Sequence, residues 1–170
     1  AGGPCVCNPE PLADFIDVFF LGEGEEVDLE FIELYNKHKK LGSSKMNFLI
    51  EAAKIEGVYV PALYDVDYND NGTIKSVTAT NGAPEKIKKR IIKDLDKVHY
   101  PDTFVVPYIG IIHDRAVQEV FRGCIRGCRF CQAGYIYRPV REKSWETVNK
   151  QAKALCDNTG YEEISLSSLS

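Results

Sequence analysis

Long apolar runs are missing from this chain of 170 residues. None approaches the roughly 20 residues that a membrane-spanning helix needs, and no basic stretch followed by an apolar one opens the sequence. The chain therefore reads as cytoplasmic, with no membrane partner. An excess of basic charge is missing too. The net charge is -4, which argues against binding nucleic acid through overall charge but leaves a local basic patch free to hold phosphate. Histidine is scarce, and none of His38, His99 and His113 is paired with another in the way zinc sites favour. There is no internal repeat and no low-complexity segment. With 44% hydrophobic and 27% charged residues, composition excludes disorder and little else.

Cysteine is not scarce. Six in a chain of this size could be three disulfides, but disulfide frameworks belong to small secreted domains and nothing here signals secretion. Cys5, Cys7 and Cys156 read as free thiols. Cys124, Cys128 and Cys131 fall within "RGCIRGCRFCQAG" at 122–134, too close together for an ordinary framework, and point to metal.

Periodicity outlines the elements. An apolar run at 15–21, then Gly22 and Gly24, then acids predicts a buried strand, a glycine turn and a helix over about 27–40, a strand-to-helix unit of an open α/β sheet. Val27, Leu29, Phe31, Ile32, Leu34, Tyr35 and Leu41 give that helix a broad apolar stripe, and Lys37 to Lys40 suit its C-terminal end before Gly42. A second helix is expected over 45–56. The segment 58–82 predicts a β-hairpin turning at 69–72. Asp65, Asp67, Asp70 and Asn71 invite calcium, but no glutamate stands at the closing position of an EF-hand loop, so turn chemistry is the better reading. "PEKIKKRIIKDLDKV" at 84–98 fits a short helix or an edge strand, its lysines a solvated face. An extended connector leads into a strand over 116–121. Ser144 caps a helix over 144–157 that Gly160 ends, and a strand follows over 162–169. The result is strand, cysteine loop, helix, strand. The loop leaves the C-terminal end of its strand, where ligand sites sit in barrels and doubly wound sheets.

A closed zinc site wants four ligands, usually as two pairs. Here the spacing is CxxxCxxC with no fourth cysteine before Cys156. Zinc could recruit Cys156 or His113 from a distance. An iron-sulfur cubane held by only three cysteines keeps one iron open, and an open position marks a catalytic rather than a structural site.

"CIRGCRFC", with Phe130 immediately before its third cysteine, resembles the signature of the radical S-adenosylmethionine (SAM) enzymes. The resemblance implies that Cys124, Cys128 and Cys131 hold a 4Fe-4S cluster, whose open iron binds SAM. It further implies reductive cleavage of SAM to methionine and a 5'-deoxyadenosyl radical, on a substrate that remains unspecified, with flavodoxin or ferredoxin as reductant. By position, the Phe130 backbone would lie near the adenine. Ser167, in the neighbourhood where the family often has a Gly-Gly-Glu motif, Arg138 and Arg141 are further candidates for SAM. "AGGPCVCNPEPLADFIDVFFLGEGE" resembles the last segment of a cobalamin-binding domain, which makes Gly2 and Gly3 candidates for that cofactor in a longer protein. The Asp-x-His-x-x-Gly segment that supplies a cobalt ligand in many such domains is absent.

The expected fold class is α/β. Residues 1–42 form the end of an open, Rossmann-like cobalamin-type domain, 43–112 a connector containing a β-hairpin, and 113–170 the first β-α-β of a radical SAM partial barrel. The chain is expected to be a fragment, inactive alone, of a radical SAM Fe-S oxidoreductase. The alternative is a non-catalytic zinc or electron-transfer iron-sulfur binding module. Arg122, Arg126, Arg129, Arg138 and Arg141 serve the cluster, SAM or a phosphate-bearing substrate, or else pair with Glu119 or Glu142 on the surface.

Overall fold

The computed structural model describes residues 1–169. They divide into two compact units, Ala1–Ile91 and Ile92–Ser170. The boundary falls inside the segment expected to be a connector, because residues 43–63 share a core with residues 18–27. That core joins Val18, Val27, Leu49, Ala52, Ala53, Val58, Val60 and Leu63, with Phe20, Phe31, Leu34 and Phe48 packed against it.

In the first unit, β1 (Phe19–Phe20) is shorter than the run 15–21 predicts. A turn begun at Glu10–Leu12 continues until the amides of Phe15 and Ile16 both donate to Leu12 O, which leaves Phe15 82% exposed. Helix α1 (Gly24–Leu41) starts three residues earlier than expected. Glu25 and Glu26 occupy its first turn, His38, Lys39 and Lys40 its last, and Gly42 caps it in the left-handed region at φ 63°. Only part of its apolar stripe is used: Val27 is buried, whereas Leu29, Ile32, Tyr35 and Leu41 are exposed. Helix α2 (Lys45–Ala52) follows, its first turn capped by Ser44, whose hydroxyl accepts from the Asn47 amide at 3.2 Å.

Strand β2 (Val58–Tyr59) does not belong to the hairpin. It pairs antiparallel with β1, Phe19 opposite Tyr59. This is a two-stranded pairing instead of the start of a parallel sheet. The hairpin is β3 (Tyr64–Tyr68) with β4 (Ile74–Ala79). Its turn confirms local chemistry: Asn71 Oδ1 accepts from the Thr73 amide at 3.1 Å and the Thr73 hydroxyl at 2.7 Å.

Segment 84–98 is neither a helix nor a strand. Its fixed point in this unit is Arg90, whose amide donates to Leu21 O at 2.9 Å and whose carbonyl accepts from the Glu23 amide at 3.2 Å. The Arg90 guanidinium grips Glu26 and Glu30 of α1, both at 2.6 Å. Backbone contacts at Arg90, its two ion pairs and the pairing of Lys88 with Glu56 at 3.3 Å hold the segment in this unit, and no repeating ladder forms.

The second unit follows its predicted order closely. Strand β5 (Ala116–Glu119), a two-residue β6 (Phe121–Arg122), a single turn α3 (Ala133–Ile136), β7 (Arg141–Glu142), helix α4 (Trp145–Thr159) and β8 (Ile164–Ser167) succeed one another. β5 and β8 pair in parallel, Ala116 with Ile164 through Glu119 with Ser167, so β5, α4 and β8 form a β-α-β unit. The Ser144 hydroxyl accepts from the Thr147 amide at 3.2 Å, and Gly160 at φ 77° ends the helix. β6 and β7 pair antiparallel. The architecture is mixed helix and strand, with four two-stranded sheets among the described residues. No helix of the described residues is long and apolar enough to cross a membrane.

Candidate functional site

The cysteine loop runs between β6 and α3, and two glycines fix how it leaves and returns. Gly123 has φ 96°, and a Cβ there would lie 2.5 Å from Pro139 O and 2.6 Å from Tyr137 O. Only glycine lets the chain turn that closely beneath residues 137–139. At Gly134, where the loop enters α3, a Cβ would meet Arg126 O at 3.1 Å. The span between them carries all three thiols.

Cys124 is buried, Cys131 half-buried and Cys128 exposed, and each is a free thiol, as are Cys5, Cys7 and Cys156. The Arg126 amide donates to Cys124 Sγ at 3.4 Å. The Cys131 amide donates to Cys128 O at 3.0 Å, so the second and third cysteines share one tight turn. Among the described residues no three His, Cys, Asp or Glu side chains stand together as a ready metal site. The donor chemistry nevertheless fits an iron-sulfur cluster: three soft sulfur donors on one short loop, one of them already accepting a backbone N–H. Such ligands are brought to their final geometry by the metal itself when binding and local folding are coupled.

The arginines divide by task. Arg122 takes the ion-pairing role: its Nε and Nη2 donate to the two oxygens of Glu119 at 2.9 and 3.0 Å. Arg138 donates to Arg126 O at 3.2 Å and stacks over the Tyr135 ring at 5.6 Å, bracing the loop from its far side. Arg141 donates to Ile92 O at 2.8 Å and Pro139 O at 3.0 Å. Arg126 and Arg129 are exposed, as is Phe130 at 93%.

Ser167 is exposed at the end of β8, directly opposite Glu119 in register, and its carbonyl accepts from the Val120 amide at 3.1 Å. Parallel strands end at a common edge, so Ser167 and the root of the cysteine loop share the C-terminal edge of this sheet. Gly2 and Gly3 are exposed and belong to the other unit, with nothing within 4 Å of a Cβ at either. That unit also holds a cavity of about 600 Å³ between the end of α1 and the start of α2, lined by Phe31, Tyr35, His38 and Phe48 among others. It contains none of the predicted site residues.

On β5 lies a polar group that sequence reasoning passes over. Gln118 is fully buried, and its amide donates to Gln151 Oε1 at 3.0 Å and Glu119 O at 2.9 Å. Lys143, buried in the next turn of chain after β7, donates to the same Gln151 oxygen at 3.1 Å and lies 4.1 Å from the centre of the Tyr100 ring. Burial pushes the Lys143 ammonium below its usual range, and Glu119 only partly offsets this. At Glu119 burial works to raise the carboxyl, but Arg122 and then Lys143 outweigh it and leave it below the usual carboxylate range. The period-two burial of β5, with Ala116 and Gln118 inward, is the signal that could have found Gln118. Nothing in the sequence singles out Lys143 from its neighbours.

Among known proteins, the family match falls at the other end of the chain. The family described as "Radical SAM proteins, N-terminal" matches residues 1–61, which supports the resemblance to radical SAM proteins from a segment that contains none of the three clustered cysteines. An uncharacterized protein of Methanocaldococcus jannaschii is 32% identical over 142 residues, 83% of this chain and 24% of that protein. The chain thus spans about a quarter of the length of the curated relative it matches. No solved structure matches it.

Proposed function

We propose that this chain is part of a radical SAM iron-sulfur enzyme, in which Cys124, Cys128 and Cys131 hold a 4Fe-4S cluster and S-adenosylmethionine occupies its open iron. The observation that carries the reading is the CxxxCxxC loop rising from the C-terminal edge of a parallel β-α-β unit, with a backbone amide already on Cys124 Sγ. The match of residues 1–61 supports it independently. When bound, the cluster supplies the single electron that cleaves SAM.

The protein's own residues prepare for this. Gly123 lets the loop turn away from β6, and Gly134 lets it close against Arg126. Arg138 holds the Arg126 carbonyl, and thereby the turn whose amide faces Cys124. Ser167, at the shared strand edge, and the backbone of Phe130, in the loop, are the groups offered to SAM, and Arg138 and Arg141, which hold backbone carbonyls at 126, 139 and 92, are the candidates for its carboxylate. On this reading segment 113–170 is the start of a partial barrel and 1–42 the end of a Rossmann-like cobalamin-type domain in which Gly2 and Gly3 approach the cofactor; of the connector 43–112, residues 43–63 pack into the same core as 18–27. The enzyme works in the cytoplasm with a flavodoxin or ferredoxin as its electron donor.

Anaerobic reconstitution with iron and sulfide tests this. The expected product is brown and binds about four irons per chain, with an electron paramagnetic resonance signal, once reduced, that changes on addition of SAM. Cys124→Ala abolishes the iron. Unchanged iron in that variant, one zinc per chain, or a cluster indifferent to SAM refutes the proposal, and the last two results favour the binding-module alternative.

A further inference from the structure

The ladder that closes the base of the cysteine loop is short. β6 and β7 contribute two residues each, Phe121 opposite Glu142 and Arg122 opposite Arg141. None of the four side chains is buried, and only Phe121 is apolar. Register is strongly set in a sheet where one face is buried and weakly set where neither is. These two pairs therefore do little to fix how β6 aligns with β7, although every residue of the loop between them moves with that alignment.

The next residue supplies what the ladder lacks. The Lys143 amide donates to Val120 O at 3.0 Å, and its side chain turns inward to 2% exposure, a depth at which a lysine is almost never found unless paired. Its ammonium donates to Gln151 Oε1 of α4 at 3.1 Å, with Glu119 Oε2 of β5 at 3.6 Å and the centre of the Tyr100 ring at 4.1 Å. The same Gln151 oxygen accepts from the buried Gln118 amide at 3.0 Å. One oxygen thus ties the foot of the loop to both the helix and the strand. A slip of one residue would turn Lys143 outward and carry the exposed Glu142 into this interior. The hub is not the most stable way to fill the space, because Gln118 Oε1 is buried with no partner and an orphaned acceptor costs stability. Directional bonds add a single geometry instead. Val120, which receives the Lys143 amide, donates its own amide to Ser167 O at 3.1 Å, so the alignment of β6 with β7 decides where the loop stands against that strand edge. We propose that Lys143 and Gln151 are positioning residues that set the register of the loop's stem, and through it the placement of the bound cluster against the strand edge that receives SAM. This rests on the reading that the loop holds a cluster whose open iron binds SAM. The three cysteines stay on one loop in either register, so cluster uptake tolerates a slip. SAM must meet the cluster and the strand edge at once, so its binding does not.

The test loads the 170-residue chain with iron and sulfide and reads two quantities: the iron bound, and the SAM concentration at which the electron paramagnetic resonance signal of the reduced cluster changes. Gln151→Leu keeps the volume and removes the acceptor. It is expected to hold as much iron as the wild type and to need about tenfold more SAM, roughly the weight of one hydrogen bond. Gln151→Glu, which still accepts from Gln118 and Lys143, restores the wild-type requirement. Leucine packs as well as glutamine, so a SAM defect that returns to normal with an acceptor is the outcome a packing role does not produce. A folded Gln151→Leu with the wild-type SAM requirement, iron lost along with the SAM response, or a Gln151→Glu as defective as Gln151→Leu overturns the inference. If Gln151→Leu does not fold, Lys143→Met read in the same way decides alone. A wild-type chain that takes up no cluster, or whose cluster is indifferent to SAM, overturns the parent reading as well, whereas a wild-type response with unmoved variants overturns only the role of the hub.

Discussion

The two units are held together by different means. In residues 1–91 the interior is apolar: Phe19, Val27, Val58, Val60 and Leu63 are all at most 1% exposed, and Phe20, Phe31 and Phe48 pack edge to face around them. In residues 92–170 the fully buried apolar side chains are few, Ile92, Leu95, Ala116 and Leu155, and Gln118 and Lys143 share the interior with them. Burying an apolar side chain contributes about 1.5–3 kcal/mol wherever it is placed. A buried polar group contributes only when its partners are in place, and it fixes geometry more than it adds stability. The unit with the larger apolar core carries the match to the radical SAM N-terminal region. The unit with the polar interior carries the thiols.

The contrast makes predictions of decreasing size. Leu63→Ala, in the apolar core, costs about 2–5 kcal/mol, measured by denaturant unfolding, with hydrogen-exchange protection lost first at its neighbours Val58 and Val60. A cost under about 1 kcal/mol would show that this core is not what holds the first unit. Gly123→Ala forces a side chain onto two carbonyl oxygens at a positive φ, and strain of this kind costs about 1–3 kcal/mol. Its expected signature is lost iron uptake with little change in exchange protection of α4, because the damage is confined to the loop.

The smallest effect is on pH dependence. The folded Glu119 carboxyl lies below its usual value because Arg122 and Lys143 outweigh burial. Its contribution is therefore fully present above the unfolded glutamate value of about 4.3, and is lost as pH falls through the lower folded value. Partial exposure of the group reduces the size of the effect. Stability of the second unit should decline in acid, and Glu119→Gln should flatten that decline. An equal slope in the variant would assign the acid sensitivity elsewhere.

Local chemistry was legible wherever one residue decides one backbone event. Ser144 and Gly160 bound α4, Gly42 ends α1, and Asn71 makes the hairpin turn, because caps and turns are satisfied within a few residues. Pairing was less legible. The run 15–21 reads as a full strand, yet a helical turn reaching Ile16 shortens it and β2 meets it from the opposite direction. The segment 84–98 carried no usable periodicity, since its order comes from scattered contacts: Arg90 grips two glutamates of α1, Ile92 and Leu95 are buried, and Asp96 accepts from the Ser144 amide.

For the site, spacing alone named the three thiols and the strand edge that presents them. Three cysteines within one short loop stay near one another in the chain whatever the rest of it does. The sequence by itself determined the spacing of those candidate ligands, the helix limits and the β-α-β order, all of which depend on near neighbours. Only the tertiary structure decided that Lys143, Glu119 and Arg122 meet beneath the loop, and that Arg138 and Arg141 brace the backbone around it. Those contacts join residues up to 49 positions apart, and side-chain charge reaches across such gaps only after burial and strand pairing have brought the groups within a few ångströms.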